Sequence, residues 1–147
     1  QKKHAFTQCL LHVNDLYMTS RTKVSTFFLD DIQEFFLQNN IYSVENIQFT
    51  GKSGFSHNYD FVIPRTSKKP ERICLAINNP NKTTMGNAIF AWNDTKPSRK
   101  SDSQLIVFLN DNNSISKGVE SGFSNYSVKT LRWSKRFENE NLNLLTA

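Results

Sequence analysis

GFSHNYDFVIP, Gly54 to Pro64, followed at Arg72 by RICLAINNP, decides how the rest of the chain is read. The first stretch is a glycine turn that opens into alternating apolar and polar residues, the period of a strand with one buried face. The second is a nearly continuous apolar run of strand length. Between them, PRTSKKPE carries Pro64 and Pro70, which cannot donate to a ladder and so bound a loop. Upstream, VENIQFT from Val44 to Thr50 also alternates, and GKSG, Gly51 to Gly54, joins it to the run Phe55 to Ile63. Three strands joined by short turns predict an antiparallel meander.

Working outward, Ser20 to Asn40 repeats Val24, Phe27, Phe28, Leu29, Ile32, Phe35 and Phe36 at steps of three and four. Asp30, Asp31, Gln33, Glu34 and Gln38 take the other face. This predicts an amphipathic helix closed by Asn39 and Asn40. A shorter amino-terminal helix is expected over Phe6 to Met18. Downstream, NKTTMGNAIFAWND (Asn81 to Asp94) suits a helix, with Trp92 among its buried residues. SQLIVFLND (Ser103 to Asp111) suits a strand covered on both faces. A weak helix containing Gly118 and Gly122, a strand over SVKTLRW and a terminal helix over KRFENENLNLL complete the order. A meander that passes into strand–helix–strand crossovers predicts the α/β (α+β) class: a mixed sheet with helices on both faces. Residues 1–147 read as a single domain, with 1–20 as the amino-terminal helix and 21–147 as the core, since 147 residues bury one core and are short for two.

Charged residues make up 21% and hydrophobic ones 37%, with twelve phenylalanines, which excludes a disordered tail. No apolar run approaches the ~20 residues that cross a bilayer, and no signal stretch opens the chain. The expectation is a soluble cytoplasmic protein with no membrane contact. The chain starts at Gln1, so a carboxy-terminal piece that follows an upstream amino-terminal domain is expected. Cys9 and Cys74 have no metal-ligand spacing, and a buried Cys74 thiol is the expectation, with no disulfide and no zinc. His4, His12 and His57 lie far apart in the sequence, and neither a phosphate-cradling glycine loop nor a serine elbow occurs.

The net charge of +5 favours an acidic partner, nucleic acid above all. Three basic clusters stand out: Arg65, Lys68 and Lys69; Lys96, Arg99 and Lys100; and Arg132, Lys135 and Arg136 around Trp133. Two such loops on one side would make a phosphate-facing patch, and Trp133 would either stack on a base or pack against the terminal helix.

The element order resembles the restriction-endonuclease-like fold. That resemblance implies an aspartate on the second meander strand and an acid-x-lysine trio on the third, together holding magnesium. Asp60 occupies the first place, but Ala76 and Asn78 stand at the acid and lysine places, and neither supplies the chemistry. If catalysis persists, Asp60 is the metal ligand, Glu71 and Lys82 are the displaced acid and lysine, and Glu34 is an added carboxylate. The other reading of Asp60 is a strand aspartate that accepts bonds from backbone or from His57.

The segments TGKSGFSHNYDFVIP, AINNP, FAWNDTKPSRKSDSQLIVFLND and LRWSKR are also similar to an uncharacterised bacterial and prophage carboxy-terminal domain family, from about Lys3 to the end. That similarity implies a mobile-element association and AINNP as the ordinary form. The expectation is a catalytically silent nuclease-like domain that binds nucleic acid and needs no cofactor. Asn78 and Asn79, with Asp60 and Asn58, would form a polar pocket, with Trp92, Asp94, Arg99 and Asp102 on a neighbouring surface. The alternatives are a protein-binding inhibitor or regulator in phage defence or its evasion, and a magnesium-dependent nuclease with a displaced site.

Overall fold

A computed structural model describes residues 27–112 and 114–146. The expected amino-terminal helix, with His4, Cys9 and His12, lies outside the described residues. Helix α1 occupies residues 27–38. It buries Phe28, Ile32, Phe35 and Phe36, as the spacing predicts, while Phe27 is exposed. Its end is where the asparagines placed it. Asn39 donates its side-chain amide to the Phe35 carbonyl at 2.8 Å, and Asn40 turns into the left-handed region at φ 56°.

Five strands follow: β1 (Val44–Thr50), β2 (Ser56–Ile63), β3 (Arg72–Ile77), β4 (Gln104–Leu109) and β5 (Lys129–Arg132), hydrogen-bonded side by side in that order. The pairs β1–β2 and β2–β3 are antiparallel, and β3–β4 and β4–β5 are parallel. The crossovers are α2 (Lys82–Thr95) and α3 (Val119–Asn125), and α4 (Asn139–Leu145) closes the order. The class is the expected mixed α and β one, with one mixed sheet.

Two cores lie on the two faces of that sheet. On one, Tyr59, Ile73, Val107 and Leu109 pack against Ala88, Ile89 and Trp92 of α2 and Phe123 of α3. On the other, Phe61, Cys74, Ile106 and Phe108 pack against Phe28, Ile32 and Phe36 of α1 and Leu145 of α4. Residues Ile106 to Leu109 are 0% exposed, so β4 is covered on both sides, as its unbroken apolar run predicts. Local chemistry starts the crossover helices. Asn81 caps α2 by accepting the Thr84 amide at 3.0 Å, while the Thr84 hydroxyl accepts the Asn81 amide at 2.9 Å. Gly118, at φ 89°, supplies the left-handed turn into α3.

One irregularity positions the site. Tyr59 faces the α2 core and Phe61 the α1 core, so the in-out alternation slips at Asp60. Opposite Asp60 in the β1 register, between the pairs Glu45–Phe61 and Ile47–Tyr59, stands Asn46 at φ 54°.

Candidate functional site

The β2–β3 ladder runs from Ile63↔Arg72 to Phe61↔Cys74 and stops there. At the next step the Asp60 carboxylate takes over the role of a strand carbonyl: Oδ2 accepts the Ala76 amide at 2.7 Å. Burial raises the Asp60 pKa, and the Ala76 amide pulls it partly back. Of the two readings of Asp60, the backbone-accepting one describes this geometry, and the acceptor's partner is Ala76 rather than His57. Asp60 lines a cavity beside α1 and Ala76 packs in the α1-side core, while Asn78 lies just past the end of β3. Asn78 Oδ1 accepts Asn110 Nδ2 at 2.7 Å, which ties the ends of β3 and β4 together. Asn79 is exposed and contributes its carbonyl to the Asn81 and Thr84 side chains at the α2 cap. Asp30 and Glu45 line a cavity of about 200 Å³ together with Asp60. Among the described residues, though, no three His, Cys, Asp or Glu side chains come together as a metal-holding group. One carboxylate already bound to an amide, an alanine and a committed asparagine do not fit magnesium.

Past Asp60 the two strands part, and a second cavity of about 330 Å³ opens on the α2 side. Ser56, His57 and Asn58 of β2, Leu75 and Ile77 of β3, and Thr84 and Asn87 of α2 line it. Asn58 therefore lines this α2-side cavity, whereas Asp60 lines the cavity beside α1 and Ala76 packs in the α1-side core. At the rim, Asp94 near the end of α2 collects the β1–β2 turn. His57 donates Nε2–H to Asp94 Oδ2 at 2.7 Å, Ser53 donates its hydroxyl to the same oxygen at 2.6 Å, and the Ser53 amide donates to Oδ1 at 2.8 Å. The Lys52 amide donates to the Asp94 carbonyl at 2.8 Å. Hydrogen bonds from the Ser53 side chain first, and His57 second, hold the Asp94 carboxyl below the usual carboxylate range. The three residue types are those of a hydrolase triad, but the arrangement is not. A relay needs the serine on the histidine's other nitrogen, and here both groups bond the carboxylate. The cluster is a clasp that pins the GKSG turn to α2.

Glu71 and Lys82 are not brought together. Glu71 precedes β3 and Lys82 follows it, and a strand of this length separates them by roughly 20 Å at ~3.3 Å per residue. Glu71 is engaged: Arg99 holds it with two nitrogens, at 3.0 and 2.5 Å, and Ser103 donates to it at 3.2 Å. Arg99 also lies 4.2 Å over the Phe49 ring. Lys82 is exposed in the first turn of α2. Glu34 is exposed and accepts Gln38 at 3.3 Å, away from the Asp60 cavity.

The basic clusters divide between the two ends of the sheet. Because β3 and β4 are parallel and Arg72 pairs with Gln104, the loops that precede them lie at one end. These loops carry Arg65, Lys68 and Lys69 on one side and Lys96, Arg99 and Lys100 on the other. They touch: Arg65 pairs with Asp102 at 2.5 Å, and the Gln104 amide donates to the Glu71 carbonyl at 3.0 Å. Among the described residues Lys68, Lys96 and Lys100 are exposed and in no ion pair. Arg132, Lys135 and Arg136 lie beyond the opposite end, where Arg132 pairs with Leu109 in the ladder and grips Glu120. Lys135 is exposed there. Arg136 stacks 4.3 Å over Trp133, whose ring also meets Phe28 at 5.6 Å and Phe35 at 5.4 Å. Trp133 therefore packs on α1, in the cluster that also holds Leu142 and Leu145 of α4, and its ring is occupied.

Sequence reasoning missed the Ser53–His57–Asp94 clasp, whose members stand 37 and 41 residues apart with no local signature. It also missed Arg72, which is 1% exposed at the head of an apolar run. Cys74, by contrast, is the buried free thiol expected, its pKa pushed up by desolvation. No helix among the described residues is long and apolar enough to cross a membrane. No curated protein and no solved structure matches the chain. Residues 51–136 match the family model described as "Domain of unknown function DUF1829", and with more than half of its length inside that match the chain belongs to this family.

Proposed function

We propose that this protein is a nucleic-acid-binding module that grips the phosphate backbone with the end of its sheet carrying Lys68, Lys96 and Lys100. The observation that carries the reading is the juxtaposition of two basic loops through the parallel β3–β4 register, with three exposed lysines that no carboxylate among the described residues pairs with. The framework corresponds to a restriction-endonuclease-like one used without its catalytic trio, in a mobile-element or prophage setting that the similarity of its motifs implies. Asp60 serves there as a structural acceptor, so no cofactor is required.

The test is binding to single- and double-stranded DNA and RNA at two salt concentrations, with magnesium or manganese present and cleavage read alongside. Neutralising Lys68, Lys96 and Lys100 together should flatten the salt dependence by roughly one unit of slope per lysine. Neutralising Lys135 and Arg136 at the opposite end should change it little. Retention that is indifferent to the triple variant sinks the reading, and cleavage lost in Asp60→Ala would restore the nuclease alternative. A protein-binding regulator is the second reading. What favours it is Phe55, 70% exposed, and Phe90, 59% exposed, with the Phe90 ring 5.9 Å from His57. That mode predicts association which survives salt and falls on Phe90→Ala.

A further inference from the structure

The β2–β3 ladder ends at Phe61↔Cys74, yet both strands continue beyond it, β2 back to Ser56 and β3 on to Ile77. Over Ser56 to Asn58, β2 pairs with β1 alone, so its other main-chain edge faces a gap where the β3 ladder would have run. A main-chain donor or acceptor that has lost its strand partner needs another one. Asp60 answers for the Ala76 amide only. Each side of the gap, Ser56 to Asn58 and Leu75 to Ile77, spans roughly 10 Å at ~3.3 Å per residue. That is short for an added strand and suits a single flat group.

The cavity of about 330 Å³ at this gap stands at the small end of the range for ligand pockets, roughly 300–1,000 Å³. Leu75 and Ile77 of β3 and Ala88 and Ala91 of α2 give it an apolar lining, and Asn58 on β2 and Asn87 on α2 bring carboxamides from two different walls. Both asparagines are exposed, and among the described residues neither side chain is tied up in a hydrogen bond. A carboxamide presents a donor and an acceptor side by side, the complement of a base edge. His57, the ionisable residue of the lining, is committed through Nε2 to Asp94. The rim differs from the interior. Phe90, 59% exposed, sets its ring 5.9 Å from His57. One turn beyond Ala91, the Asp94 carbonyl accepts the Lys52 amide at 2.8 Å, and Lys96 caps α2 two residues later. Lys52 and Lys96 are both exposed, so positive charge stands at the Asp94 end of a neutral slot.

We propose that this cavity takes a nucleobase, with Asn58 and Asn87 on its hydrogen-bonding edge, the apolar lining against its ring, and Lys52 and Lys96 at the end where its phosphate emerges. A neutral lining turns away a carboxylate or a phosphate, whose charge would enter unpaired. A purely aliphatic ligand would leave the carboxamides and the strand edges without partners. A flat heterocycle with donors and acceptors around its edge meets both demands. The base belongs either to a free nucleoside or nucleotide or to an unpaired position in a strand. The strand source rests on the nucleic-acid reading above, whereas the pocket itself does not.

Titrating the full chain with adenosine, guanosine, cytidine and uridine, by calorimetry and saturation-transfer NMR at low and high salt, tests it. Saturable binding of at least one nucleoside is expected, and salt should leave it unchanged because the lining is neutral. Asn87→Ala, at an exposed helix position where alanine is the better helix former, should weaken it several-fold. Ala91→Leu fills the cavity and should abolish it, and Asn87→Ala decides the matter if Ala91→Leu does not fold. Asn139→Ala, on α4 across the sheet, serves as the unaffected control. No saturable binding of any of the four, or binding that survives the folded variants, overturns the proposal. Failure of the phosphate grip looks different: the Lys68, Lys96 and Lys100 triple variant then retains oligonucleotides as the wild type does, while nucleosides still bind. With nucleoside binding in place, a single strand held less tightly by Asn87→Ala at an unchanged salt slope assigns the pocket to unpaired bases. Equal retention assigns it to free nucleosides.

Discussion

Replacing Asp60 by alanine and by asparagine separates its structural work from any catalytic work. In the alanine variant the Ala76 amide loses its acceptor at the point where β2 and β3 have parted, so no strand carbonyl is aligned to replace it. Leaving a buried amide unsatisfied costs about 1–3 kcal/mol. The 2.7 Å bond and the partly buried setting put Asp60→Ala near the middle of that range, about 2 kcal/mol. Asparagine keeps an oxygen for the amide and removes a charge from a desolvated place, so its cost at neutral pH should stay under about 1 kcal/mol. The pH dependence has a definite sign. Because the folded-state pKa of Asp60 is raised, its ionised form opposes folding. The wild type therefore gains stability relative to Asp60→Asn as the pH falls from neutral through that raised value. Urea denaturation at several pH values reads both effects. With a slope of about 1–3 kcal/mol/M, the alanine variant's midpoint should fall by roughly 1 M. Equal losses in the two variants, or an alanine midpoint indistinguishable from wild type, would refute the assignment of Asp60 to the ladder.

Two further outcomes concern the clasp. A Cβ at Gly51 would meet the Asp94 carboxyl carbon at 2.5 Å and its carbonyl oxygen at 3.0 Å, so Gly51→Ala should destabilise by roughly 1–3 kcal/mol. Thermal denaturation checks this, with Gly86→Ala, where nothing lies within 4 Å, as the tolerated comparison. Asp94, with its depressed pKa, contributes stability that is complete at neutral pH and is lost as the pH falls below the usual carboxylate range, through its folded-state value. Asp94→Asn should therefore lose stability at pH 7 and show a flatter acid limb, and an acid limb identical to wild type would count against the clasp.

The meander and the crossovers were legible because each strand announces its own period and each turn its own chemistry. VENIQFT became β1 without adjustment, and Asn81, Gly118, Asn39 and Asn40 sit where caps and stops belong. The weak helix around Gly118 shortened to Val119–Asn125 because that glycine takes the left-handed turn before it. The site was less legible, for a different reason. Periodicity places a residue on a face but does not name the partner across the sheet. Glu71 and Lys82 look interchangeable with a displaced acid and lysine until β3 is seen to separate them. Arg132 and Arg99 look like one basic population until each is found holding its own glutamate. The lysines after Pro64 and after Thr95 join forces only because β3 and β4 run parallel, a fact that no local run of residues encodes.

The strand order carries a kinetic consequence. Every neighbour in the sheet is also the neighbour in the chain, so no strand has to wait for a segment made much later. The hairpins β1–β2 and β2–β3 close over short loops, and the parallel strands then add one at a time, each after a single crossover, a topology that keeps loop-closure costs low. During synthesis the advancing edge of the sheet is always the newest strand, exposed until its successor arrives. The long return falls to α4, whose last carbonyls are held by Lys69 and Arg72 from more than seventy residues earlier. The carboxy-terminal turn of α4 is thus the latch that locks the loop where β3 began.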